Sequence, residues 1–525
     1  MSLLTPLASG VAILAATPII IIFYSAITVD AGLWIQIYET RLQVILLNTI
    51  KLLFAVGVLT VLIGITMAMI VTRYDFKGKR IWEWALILPL AVPGYVLAYA
   101  YASIMAPGGV VQTLWINLFG DTSTMPSLYS FWGVSFILSL VNYPYVYLLT
   151  RASLLNQNIS YDEVARTLGV SKWKRLWLIN IRMAYPGIIA GMALVLMEVM
   201  ADFGTVALLR YPTFTEAIYR QMTARFDFLG ASALGSILVG LTLLLLILEH
   251  HFRGRRVFEQ TKGKFKKPIP KGVDVKRTIF FTALILIILG MAFFAPVSLL
   301  TKWSIDAIFK AGLDSRFVKF TFNTISVSAL GATIAVILAI PIAYLHARYL
   351  NPLNKVLYFS STLGYSLPGP VIAVGLLLVA NLFFPQLYGG IVILVSAYVV
   401  RFLSITVQSQ ESSILTVSRS VEDAAKTLGA GTWRTMTRVL LPLIKPGIFT
   451  GWMVVFIDCM KELPATMMLR PLAFDTLSVR VWVEAAESLW DMAALPALLI
   501  VISGLIPITF IIRKSNGGKD GVQVT

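Results

Sequence analysis

Twelve apolar runs of about twenty residues fill this 525-residue chain. They lie at 7–27, 44–71, 84–105, 129–150, 184–203 and 230–249, then at 278–300, 321–345, 357–380, 388–408, 447–463 and 493–513. A helix of that length crosses the hydrocarbon of a bilayer while satisfying its own backbone hydrogen bonds. The expected fold class is therefore all-α, a polytopic membrane protein with about 12 transmembrane helices. The composition, 58% hydrophobic and only 13% charged, departs from that of a soluble chain in the same direction. The run at 7–27 is too long for a signal-peptide core, has no basic residue before it and lacks a cleavage site, so it reads as a retained first span.

Lys and Arg number 43 against 26 Asp and Glu, giving +17. Such a balance can signal nucleic acid, but here the cations sit between apolar runs, which is the positive-inside pattern. They gather at Arg73–Arg80, Arg151–Arg182, Arg253–Arg277, His346–Lys355, Arg419–Lys445 and Arg513-Lys514. These clusters are consistent with one cytoplasmic side carrying both termini. Arg41, Lys302, Lys310, Arg316 and Lys319 fall on the other side, so the rule holds on balance. The single cysteine, Cys459, excludes a disulfide within the chain.

The chain is also written twice. Ser160-Tyr-Asp-Glu-Val-Ala-Arg-Thr-Leu-Gly169 through Trp173 recurs as Ser420-Val-Glu-Asp-Ala-Ala-Lys-Thr-Leu-Gly429 through Trp433. Outside the loop, Asn48-Thr49 matches Asn323-Thr324, Arg73-Tyr74 matches Arg348-Tyr349, and Pro93-Gly94 matches Pro368-Gly369. About fifteen extra residues in the first half fit most simply between Pro107 and Pro126. Six spans separate equivalent points, so the halves are parallel repeats rather than inverted ones. The domain reading is a first repeat at 1–252, a basic, Pro- and Gly-punctuated cytoplasmic linker at 253–277, and a second repeat at 278–525.

Each copy of the loop is a polar island. Ser160 with Glu163, and Ser420 with Asp423, have capping-box spacing and predict a short helix. Ala165 with Leu168, and Ala425 with Leu428, are expected to share a helix face. Gly169 and Gly429 fall where a left-handed residue ends that helix and turns the chain into the next.

The pattern resembles the EAA loop of the inner-membrane permeases of binding-protein-dependent ABC importers. The second copy carries Asp423-Ala424-Ala425, Gly429 and Leu441-Pro442; the first carries Glu163-Val164-Ala165 and Gly169 but has Ile181-Arg182 in place of Leu-Pro. Pro186-Gly187 does match Pro446-Gly447. The resemblance implies a type I importer permease fold in the bacterial inner membrane, with loops at 160–186 and 420–446 that dock on an ATPase. Glu163, Ala165, Gly169, Trp173, Asp423, Ala424, Ala425, Gly429 and Trp433 would carry that coupling. It also implies two copies of the ATPase, a periplasmic solute-binding protein, surrounding membrane lipids and no nucleic acid. A solvated cytoplasmic loop lying on anionic lipid is the plainer reading of a single copy; the duplication favours coupling.

Substrate candidates lie beyond the two Pro-Gly pairs. Glu198 and Asp202 are four apart, as are Asp458 and Glu462, and acids near hydrocarbon face the bundle interior or water. They line a cation route, or they close ion pairs in a gate or at the outer interface with Lys461, Arg210 and Arg470. Arg401 reads as snorkelling or paired. The segments Ala201–Thr205, Lys461–Thr466 and Arg470–Thr476 resemble the ferric-iron branch of fused permeases, although fused permeases for thiamine are similar. That resemblance implies a periplasmic iron-binding protein as the delivering partner. A stand-alone ion-coupled transporter or channel is the alternative from another class.

Other chemistry is sparse. The sequence has no Gly-x-x-x-x-Gly-Lys-Ser/Thr phosphate loop, so ATP is expected to be used by a partner subunit rather than by this chain. His250, His251 and His346 lack metal-site spacing, and no permanent metal or covalent cofactor is expected. Met197, Met200, Met460, Met467 and Met468 suit packing better than ferric iron.

Overall fold

The computed structural model describes residues 4–158, 160–254, 270–312, 314–349 and 351–517. In the first half the helices used below are α1 (Leu4–Thr28), α2 (Gln43–Arg73), α3 (Gly94–Met105), α4 (Phe131–Leu155), α5 (Ser160–Thr167), α6 (Arg182–Ala201), α7 (Gly204–Leu208), α8 (Phe214–Thr223) and α9 (Phe228–Gly254). In the second half they are α10 (Val275–Leu289), α11 (Ser315–Arg348), α12 (Gly369–Phe383), α13 (Ile391–Thr416), α14 (Arg419–Thr427), α15 (Lys445–Lys461), α16 (Pro464–Leu469), α17 (Leu477–Ala486) and α18 (Trp490–Gly517). Among the described residues nine helices are long and apolar enough to span a membrane, or up to twelve if each bent pair counts as one span. The chain is an all-α polytopic membrane protein.

Two of the expected spans are broken. Lys79–Ala91 meets Gly94–Met105 at 89°, and Pro352–Ser366 meets Gly369–Phe383 at 116°. The breaks fall at the repeated Pro93-Gly94 and Pro368-Gly369. A proline pushes its predecessor out of the helical region and brings no backbone N–H; Val92 (ψ 111°) and Leu367 (ψ 136°) are accordingly extended. Other spans are longer than their apolar cores. Helix runs without a gap from Ala31 to Arg73 and from Val275 to Lys310. The extra segment between Pro107 and Pro126 forms a helix, Val110–Phe119.

The expected linker at 253–277 lies mostly outside the described residues. Arg253-Gly254 already belongs to α9, Val275–Arg277 begins α10, and residues 255–269 lie outside the described residues. At its end, β2 (Lys271–Gly272) pairs in parallel with β1 (Tyr74–Asp75), so the linker's exit is fixed beside the end of α2.

Two compact units result, and each draws on both halves of the sequence. One comprises Met1–Gln43, Phe214–Gly240 and Ala311–Val483; the other comprises Val44–Thr213, Leu241–Lys310 and Glu484–Thr525. In the first unit α1, from the first repeat, packs on α11, Pro352–Thr362 and α12 of the second. The contact is close enough that a Cβ on Gly375 would lie 2.6 Å from the Pro18 carbonyl oxygen. The other unit repeats the arrangement with the roles of the halves exchanged. Tyr101 of α3 donates to the Met291 carbonyl at 3.0 Å, and Tyr99 donates to the Trp490 carbonyl at 3.1 Å while stacking on its ring.

The Gly375 contact yields a prediction. Gly375→Leu forces a side chain against backbone that cannot rotate away, and overpacking of this kind costs about 1–3 kcal/mol. Thermal unfolding of the purified protein in detergent should shift downward, and an unchanged midpoint would show that α1 does not pack on α12.

Candidate functional site

Two places in each half bring the repeated residues together. The first is the hairpin around Gly169 and Gly429. Both glycines are left-handed, with φ of +73° and +83°. The chain closes there in the same way twice: Val170 N donates to Ala165 O and Ala430 N to Ala425 O, each at 3.0 Å, while Gly169 N reaches Arg166 O and Gly429 N reaches Lys426 O. This is the helix ending in which the last carbonyls are satisfied by a residue with positive φ. The stop signal read from the sequence is thus present in both copies.

The start signal is displaced. The second hairpin helix is capped by Ser418, whose hydroxyl accepts from Ser420 N at 3.3 Å, and in the first copy Asn158 Oδ1 accepts from Ser160 N at 3.1 Å. Ser160 and Ser420 therefore lie inside the helix, and their capping-box assignment is incorrect. The expected shared face also fails. Ala165 is buried and Ala425 half-buried, whereas Leu168 and Leu428 are 76% and 89% exposed. Each leucine lies at the end of its helix, where the turn at glycine swings it outward.

What remains on the outside is an apolar tip within a charged surface. It consists of Tyr161, Val164 and Leu168 in one copy and of Val421, Leu428 and Trp433 in the other. Glu163, Asp423 and Ala424 are exposed beside these tips. Asp423 is paired with Lys426 at 3.4 Å. The Trp173 side chain lies outside the described residues. Each otherwise polar hairpin thus presents an exposed leucine at its turn.

After each hairpin comes a matched π-helical turn, Leu176–Ile181 and Met436–Leu440, and then the long helix. The copies diverge at this point. With Ile181-Arg182, the first continues as one helix from Leu176 to Ala201; with Leu441-Pro442, the second bends by 72° between Trp433–Leu443 and Lys445–Lys461.

The second place is where α6 and α15 end. Asp202 and Glu462 were expected to share helix faces with Glu198 and Asp458. Instead both leave the helix, with ψ of 126° and 121°. Asp202 turns its carboxylate onto Thr205 N (3.1 Å), Thr205 Oγ1 (2.8 Å) and Val206 N (3.1 Å) at the start of α7. Glu462 accepts from Ala465 N (3.1 Å), Thr466 N (3.0 Å) and Thr466 Oγ1 (2.7 Å) at the start of α16. Unsatisfied amides at a helix start favour a carboxylate acceptor, and that demand turns the side chains. The Arg401 guanidinium also closes on Glu462 at 2.8 Å, so Arg401 is paired. Lys461 pairs with Asp458 at 2.8 Å, Arg470 pairs with Asp475, and Arg210 lies over the Tyr129 ring. Glu198 is half-buried on α6.

These capped breaks meet the broken third and ninth spans. A Cβ on Gly94 would lie 2.5 Å from Thr205 Oγ1 and 3.2 Å from Asp202 Oδ2; one on Gly369 would lie 2.3 Å from an Arg401 nitrogen and 2.8 Å from Glu462 Oε1. Only glycine fits there. The Pro-Gly pair and the acid, more than ninety residues apart in sequence, thus form one junction in each half. Within a bilayer, non-helical backbone persists where it is buried in protein or lines a cavity.

Sequence reasoning missed the acid one position before each exposed acid. Asp162 and Glu422 hold their hairpins in place, and the cue was the repeated Arg73-Tyr74 and Arg348-Tyr349, which one of these acids meets. His346 is paired with Glu411 at 2.6 Å and stacks on Tyr358.

The profile of the "Binding-protein-dependent transport system inner membrane component" family matches residues 60–257 and 331–515. The "Fe(3+)-transport system permease protein FbpB 2" of Haemophilus influenzae is 27% identical over 485 residues, 91% of each chain. The "Ferric transport system permease protein FbpB" of Actinobacillus pleuropneumoniae is 22% identical over 80% of this chain and 64% of its own length. The "Sulfate transport system permease protein CysT" of Escherichia coli is 29% identical over 43% of this chain and 83% of its own. A relative about half as long is consistent with a duplicated chain.

Proposed function

We propose that this chain, which belongs to the family of binding-protein-dependent transport system inner membrane components, is the permease of an ATP-driven importer of ferric iron. It is a multi-pass inner-membrane protein and a transport subunit rather than an enzyme. An ATPase supplies hydrolysis, two copies of it docking on the two hairpins, and both termini lie on that cytoplasmic side. A periplasmic binding protein brings iron to the opposite face. The observation that carries this reading is the hairpin built twice, with the same left-handed glycine and the same projecting leucine. One kind of partner surface can recognise both. Ferric iron as cargo rests on the resemblance to the two ferric permeases, one of which is matched over 91% of both chains.

Motion of the ATPase pair displaces the hairpins, and α6 and α15 carry that displacement to the junctions at Asp202 and Glu462. There the breaks beside Gly94 and Gly369 change the opening of the route. Glu198 and Asp458, one turn before the caps, are the acids we assign to the passing cation, Asp458 beside its partner Lys461, and Arg210 and Arg470 to the outer gate.

The test compares uptake of ferric iron and of thiamine in cells lacking this chain and in cells with it restored. Iron uptake should fall at least about tenfold without the chain, with thiamine uptake unchanged. Loss of thiamine uptake alone would replace the substrate, and uphill transport by the purified chain without an ATPase would overturn the importer reading.

A further inference from the structure

Each hairpin is fastened by the acid that precedes its exposed acid, and the two fastenings differ. In the second hairpin Glu422 is buried and reaches back to α11. Its carboxylate accepts from Arg348 Nε at 2.7 Å and from the Tyr344 hydroxyl at 3.0 Å, and the side chains of the Arg348–Glu422 pair are only 6% and 5% exposed. The same guanidinium donates to Val417 O at 2.9 Å, and Arg419 donates to Arg348 O at 2.6 Å. Four hydrogen bonds thus tie the base of this hairpin to the last two turns of α11.

In the first hairpin Asp162 closes locally instead, on Arg175 Nε at 3.2 Å, and Arg175 also donates to Val170 O at 2.9 Å. Gln157 and Asn180 complete the loop, with Gln157 Nε2 donating to Asn180 O and Asn180 Nδ2 to Arg175 O, each at 2.9 Å. The residue aligned with Arg348 is Arg73, which makes no ion pair to Asp162 within 4 Å among the described residues; Asp162 pairs with Arg175 instead. The sequence accounts for the difference. Met69 stands where the second half has Tyr344, so the hydroxyl is absent, and Thr435 stands where the first half has Arg175, so the local cation is absent.

Resting on the docking reading above, we propose that Arg348, Tyr344 and Glu422 are positioning residues that pin the second hairpin to α11. A push on that hairpin then enters α11 directly as well as passing along α15. The first hairpin, closed on itself and continuous with an unbent helix, passes its push along α6. The 72° bend before α15 fits this division, because a bent joint transmits force poorly and a second attachment compensates for it. The two ATPase contacts are therefore unequal inputs to one transport cycle.

The test uses the full chain with its ATPase and binding protein in proteoliposomes, with ferric iron as the probe. Glu422→Gln and Asp162→Asn are compared for ATPase retained, ATP hydrolysed, and iron transported per ATP. Glu422→Gln should keep the ATPase bound and hydrolysing while iron per ATP falls about tenfold. Asp162→Asn should lower that ratio by less than about threefold. The reversed pair, Arg348→Glu with Glu422→Arg, should recover part of the loss, which a general weakening of the fold would not allow. If Glu422→Gln does not accumulate, Tyr344→Phe keeps the ion pair and should lower the ratio about twofold; an unchanged ratio would count against the pin. An unsubstituted chain that purifies without an ATPase overturns the docking reading and this proposal with it. An ATPase that stays bound while the two acid substitutions lower the ratio equally, or not at all, overturns the proposal alone.

Discussion

Glu462→Ala is expected to destabilise the protein by about 3–5 kcal/mol, because it leaves the arginine of a buried pair without its counter-charge. The Glu462 side chain is 1% exposed, sits 2.8 Å from Arg401 and also accepts the amides that open α16. Alanine removes all of these acceptors at once, and the Arg401 side chain, 15% exposed, has little water to turn to. Thermal unfolding in detergent and the amount of protein inserted in the membrane both report this loss. The matching change in the first half, Asp202→Ala, should cost less, about 1–2 kcal/mol, the range for losing a helix cap; Val141 stands where the second half has Arg401. Equal losses at the two positions would mean that Arg401 adds nothing to the second junction. A Glu462→Ala protein of normal stability that no longer transports would make Glu462 a cation ligand first and a structural residue second.

Valine at both Gly169 and Gly429 should uncouple transport while leaving the spans intact. Both positions have positive φ, and a Cβ at either would meet nothing within 4 Å, so the penalty is conformational rather than steric crowding by neighbours. An L-residue in the left-handed region costs about 1–2 kcal/mol, and a β-branched one is the least tolerant. The turn relieves that strain by opening, which re-aims Leu168 and Leu428. Two sites together, about 2–4 kcal/mol, are enough to weaken docking by more than about tenfold. Co-purification of the ATPase and iron uptake are the measurements. Membrane insertion and melting temperature should stay close to those of the unsubstituted chain, because both glycine turns are exposed and outside the spans. Asparagine at the same positions, which visits the left-handed region more readily, should retain more activity than valine. Full uptake by the double valine variant would remove the hairpins from the mechanism.

Much of this was legible in the chain because it is written locally. Twenty apolar residues in a row dictate a spanning helix whatever surrounds them, and glycine after a short polar helix dictates its left-handed end. The twofold repeat could be read residue by residue, from Arg73-Tyr74 to Pro446-Gly447. The misreadings were local as well. Ser160 and Ser420 look like caps until Asn158 and Ser418, two residues earlier, accept from the Ser160 and Ser420 amides themselves. Glu198 and Asp202 look like one helix face until the helix ends between them and the open amides of α7 capture the second acid.

What the sequence alone determined, then, is the kind of spans, the duplication, and the place and hand of each hairpin turn; which apolar runs are unbroken helices was left to the fold. The tertiary structure decided which spans pack together, so that α1 lies on α12 of the other repeat as well as against α9 of its own. It also decided that each Pro-Gly break meets an acid-capped break, and that Glu422 reaches Arg348 while Asp162 turns to Arg175. The physical reason is range. Periodicity and turn chemistry act over a few residues and show in any short window. Whether a glycine is needed for close approach, or an arginine finds its acid, depends on surfaces brought together from far along the chain, and no local pattern encodes that partner.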